Sequence, residues 1–152
     1  MSNASEYMNV QLVVERTFDA PRDRVFRAWI DPERMIKWFA PVGMRPVNIE
    51  VEAHVGGKYQ IGMQEPDGRT IYATGEYVEI AAPNRLVFTW SWLAEQRTEN
   101  SLVTVEFIDR GGSTHIVLTH ERLRTAEIKE GNRDGWSNCF ESLHRYLMSG
   151  DI

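Results

Sequence analysis

The chain has 152 residues, 42% hydrophobic and 26% charged, a length and make-up suited to one globular domain. Five Trp, five Tyr and six Phe exclude a disordered chain, and a net charge of −5 with scattered bases argues against a nucleic-acid partner. A single cysteine, Cys139, excludes an internal disulfide and fits a reducing, cytoplasmic setting, and no apolar run is long enough to span a membrane.

Residues 1–9 read as a tail without the basic-then-apolar layout of a signal peptide. Val10 to Phe18 alternates and predicts a strand. Pro21 suits the first position of a helix, whose apolar stripe is Val25, Phe26 and Trp29. Asp31-Pro32-Glu33 predicts a capped second helix running through Met35 and Ile36 to Trp38. Strand signals follow. Val47, Ile49, Val51 and Ala53 share one face, Gly56-Gly57 turns the chain, and Tyr59, Ile61 and Met63 begin the next face. Asp67-Gly68 marks a hairpin into a strand from Thr70 to Ile80. Leu86, Phe88, Trp90 and Trp92 alternate with Val87, Thr89 and Ser91, and Val103, Val105 and Phe107 alternate with Thr104 and Glu106. Arg110-Gly111-Gly112-Ser113 turns into a strand from Thr114 to Glu121. From about Thr125 to Met148 the spacing becomes helical, with Ile128, Trp136, Cys139, Phe140, Leu143 and Leu147 on one side. Gly131 and Gly135 lie inside that helix, where glycine suggests close approach of a neighbour. Residues 149–152 read as a second tail.

Strands without intervening helices pair antiparallel, so the order predicts an α+β domain over residues 10–148. Two short helices follow the first strand, and a long helix packs on the sheet. The stretch from Phe18 to Pro41 resembles the opening of the START-like, or SRPBCC, superfamily, and within it the branch of activators of a heat-shock-protein ATPase. That branch reads A-P-x-x-x-V-F-x-A-W-T-D-P-E and then W-W-x-P; here the second motif is Trp38-Phe39-Ala40-Pro41. Gly56-Gly57, Gly75 to Ile80, Pro83 to Thr89, Leu118-Thr119-His120 and Gly135-Trp136 extend the likeness. The resemblance implies a helix-grip fold, a curved antiparallel sheet wrapped around the long C-terminal helix with a cavity between them. Members bind hydrophobic ligands, act as polyketide cyclases or regulate a chaperone.

Chemistry-bearing motifs are few. His115 and His120 fall on opposite faces of one strand, and neither H-E-x-x-H nor C-x-x-C occurs, so no metal or cofactor is expected. Cys139 on the apolar side of the helix reads as a small hydrophobe. Arg22, Arg24, Arg27 and Arg34 read as a solvated face. Phe88, Trp90 and Trp92 form either plain core or a cavity wall, and Met44 and Met63 suit both. His120 shares the inward parity of Ile116 and Leu118 and is either a hydrogen-bonded core histidine or a group that orients a ligand.

A small apolar or amphipathic ligand is therefore expected between sheet and helix, bordered by Trp38, Met63, Phe88, Trp90, Phe107, His120, Trp136 and Phe140. The first rival is a cyclase- or hydrolase-like enzyme using His120 with Tyr59 or Tyr77. The second is a protein-interaction module. A homodimer and a chaperone contact stay open.

Overall fold

The computed structural model describes residues 10–93 and 101–150. Seven strands form one antiparallel sheet: β1 (Val10–Phe18), β2 (Arg45–Val51), β3 (Lys58–Gln64), β4 (Thr70–Ala81), β5 (Arg85–Trp92), β6 (Ser101–Asp109) and β7 (Thr114–Leu123). Their order across the sheet is β1-β7-β6-β5-β4-β3-β2, so only β1 pairs out of sequence. The helices are α1 (Arg22–Ala28), α2 (Pro32–Met35) and α3 (Ala126–Met148). The curved sheet, the long C-terminal helix and the two short helices after the first strand make a helix-grip fold.

Local chemistry sets the helix starts. Pro21 is extended (φ −67°, ψ 149°) and occupies the N-cap of α1, one position before the expected one. The Asp31 side chain accepts the Glu33 backbone N–H and caps α2, as the sequence suggested. This helix is shorter than expected. It ends at Met35, and the chain continues in tight turns while the Trp38 indole donates to the Ala28 carbonyl 2.8 Å away. Thr125 caps α3 through the Ile128 N–H.

Three irregularities interrupt the strand pairing, one of them between Tyr77 and Glu79 where β4 meets β5. At Asn48 (φ +50°) the β2–β3 register shifts between Val47 and Glu50. At Arg122 (φ +64°) β7 bulges against β1, because Leu12 faces His120 but Val10 faces Leu123. The extra residue returns Leu123 to the inner face, so His120 and Leu123 are both buried although three positions apart.

The helix α3 buries Trp136, Cys139, Phe140, Leu143 and Leu147 against that inner face, and Ile128 at its start remains 40% exposed. Arg24 departs from the expected solvated face. It donates to the Leu147 carbonyl (3.0 Å) and lies over the Tyr146 ring, tying α1 to the end of α3.

Candidate ligand-binding site

Under the first half of α3 the sheet and helix do not close on each other. A half-open hollow of about 250 Å³ remains. Its floor is Met63 from β3 and Trp90 and Trp92 from β5, with Pro41 at one side. Its roof is a single face of α3, carrying Ile128, Gly131, Asn132, Gly135, Trp136 and Cys139. Gly131, Gly135 and Cys139 stand four residues apart and so line up on the helix. A Cβ placed on either glycine meets nothing within 4 Å, so these glycines leave open space rather than admit a neighbouring backbone. Each costs the helix about 1 kcal/mol relative to alanine.

A second hollow of about 130 Å³ adjoins the first. It shares Trp90, Trp92, Ile128 and Asn132 and adds polar groups from Ser91, Ser101, His120, Arg122 and Arg124. Trp90 thus borders both spaces. Its indole N–H is buried and has no acceptor among the described residues.

His120 is fully buried at the join of sheet and helix. The Trp136 indole can only donate, and it lies 3.0 Å from His120 Nδ1, so that nitrogen accepts. The ring proton is therefore on Nε2, which donates to Ser101 Oγ at 2.8 Å. Ser101 in turn donates to the Trp90 carbonyl at 2.7 Å. This chain occupies both ring nitrogens, and burial pushes the imidazole from 6.5 down to about 4, so it is neutral. Desolvation also pushes the Cys139 thiol up to about 12, which leaves it a protonated, unreactive wall. Tyr59 donates to the Thr89 carbonyl at 2.5 Å, and burial raises both its pKa and that of Tyr77.

Of the eight residues singled out from the sequence, Met63, Trp90 and Trp136 border the first hollow, and Trp90 and His120 the second. Phe88 lies deeper, around a 10 Å³ gap beside Tyr59 and Tyr77. Trp38, Phe107 and Phe140 border none of these spaces. All three pack around Trp29, with ring centroids 5.0 Å, 6.2 Å and 6.3 Å away. Sequence reasoning missed Pro41, Ile128, Gly131, Asn132, Gly135 and Cys139 as lining residues. The small side chains at a spacing of four were the available signal. Among the described residues no three His, Cys, Asp or Glu side chains cluster as metal ligands, and no helix is long and apolar enough to cross a membrane.

A helix gripped by a curved antiparallel sheet, with a hollow beneath the helix, defines a START-like domain. The sequence pattern of the family described as Activator of Hsp90 ATPase homolog 1-like protein matches residues 19–148, and the chain belongs to that family. Among solved structures, a Chromobacterium violaceum protein is 23% identical, with a TM-score of 0.82 over 90% of this chain and 96% of that one. The AHSA1 protein of Silicibacter pomeroyi is 21% identical, with a TM-score of 0.82 over 92% and 99%. A protein from Arthrobacter aurescens, solved by NMR, also reaches 0.82 at 21% identity, over 99% and 92%. At these identities the likeness speaks for the fold alone. No curated protein matches the chain significantly.

Proposed function

We propose that the protein binds a small apolar or amphipathic molecule in the hollow beneath α3, as a cytoplasmic binding protein rather than an enzyme. One observation carries this reading: α3 keeps two glycines where alanine would stabilise the helix, and both border an apolar space that the protein's own side chains leave open. The space exceeds the roughly 150 Å³ that encloses a benzene ring and falls short of the about 300 Å³ at which ordinary ligand pockets begin. It suits a ring with a short chain and is too small for a long lipid. The groups an enzyme would use for proton transfer support binding over catalysis. His120 has both nitrogens engaged, and Tyr59 is bonded to a backbone carbonyl.

Phenylbutanol, an uncharged ring on a short chain, tests the reading. It should change the tryptophan fluorescence saturably, because Trp90, Trp92 and Trp136 line the space. Gly135→Leu should fill the hollow, abolish that response and preserve the folded circular dichroism spectrum. An unchanged response in the variant, or none in the parent protein, would overturn the proposal.

A further inference from the structure

We infer that the ligand is an amphipathic anion, with its apolar body in the larger hollow and a carboxylate or similar head in the smaller one. This rests on the binding reading above and adds the class of the head group. The two spaces share four residues of wall, so one molecule can occupy both. The larger is lined almost wholly by apolar groups. Among the described residues the smaller is lined by Arg122 and Arg124 and by no carboxylate, on a chain where acids outnumber bases by 22 to 17. Net charge therefore does not account for this local excess of positive charge.

Arg122 is the more telling of the two. It occupies the bulge of β7 at φ +64°, a conformation unfavourable for a residue with a Cβ. Regular pairing would give Arg122 the inward parity of His120; the bulge instead turns Leu123 inward and leaves Arg122 exposed at the rim of the smaller hollow. There Arg122 makes no ion pair or hydrogen bond with any described residue. A guanidinium presents a planar fork of donors that matches a carboxylate in two bonds. An aromatic or short aliphatic carboxylate would then extend from Gly135 and Met63 to Arg122, with Asn132 beside the head.

The test compares three probes with one body: phenylbutyrate, phenylbutanol and phenylbutylamine, each titrated against the whole chain at low salt. The carboxylate should bind about tenfold tighter than the alcohol, and the amine weakest. Added salt should shrink that advantage, because Arg122 is exposed. Arg122→Gln should bring the carboxylate down to the alcohol and leave alcohol binding unchanged. If carboxylate and alcohol bind the parent equally, or Arg122→Gln weakens both alike, the anionic head is wrong while the binding reading stands. If none of the three binds, both fail.

Discussion

His120 is where burial, tautomer and stability meet. Its imidazole accepts from an indole that has no other option, so protonating Nδ1 would break that bond inside a dry core. The folded value of about 4 lies below the ordinary 6.5, so between those values the unfolded chain binds more protons. The stabilisation is complete above about pH 6.5 and is lost as pH falls towards 4, on the order of 3 kcal/mol in full. Glutamine can accept from Trp136 and donate to Ser101 without titrating. The melting temperature of the parent should fall more steeply over this interval than that of His120→Gln. Parallel curves would contradict the assignment. Glu141, held low by hydrogen bonds from Arg16 and Arg145, titrates in both proteins and cancels in the comparison.

At the scale of elements, two glycines behave oppositely. A Cβ on Gly75 of β4 would run into the Thr89 carbonyl oxygen of β5, and backbone cannot swing aside as a long side chain can. Gly75→Ala should lower stability by about 1–3 kcal/mol, while Gly135→Ala, facing open space, should raise it by up to about 1 kcal/mol. Thermal melts of the pair decide it, and a gain for Gly75→Ala would refute the packing argument. The contrast also marks what could be read beforehand. Alternation in β5, β6 and β7 was enough to turn Phe88, Trp90, Phe107 and His120 inward, because the strand period is two. It says nothing about what covers each one. Phe107 meets Phe26 of α1 at 5.0 Å and is sealed, whereas Trp90 lies under the thin part of α3 and is left facing a space. Helical spacing likewise aimed Trp136 and Phe140 together. The hollow between sheet and helix arises from the glycines beside Trp136, a lack of volume that periodicity does not register.

Across the whole molecule, α3 is the second wall of the core. The inner faces of β1, β6 and β7 are closed by its Trp136, Phe140, Leu143 and Leu147 together with α1 and α2. A chain ending before Thr125 should lose cooperative unfolding in calorimetry, and a sharp transition in that fragment would count against this architecture. The relay from Trp136 through His120 and Ser101 to the Trp90 carbonyl crosses from α3 to β7, β6 and β5 in three bonds. Both ends also border the larger hollow, where the Trp90 and Trp136 rings lie against each other with centroids 5.0 Å apart. The relay therefore acts as a clasp, fixing that pair of rings as one rigid end of the space. A guest that has to part the two rings must break a buried bond to enter, so affinity should drop abruptly with the girth of its apolar body.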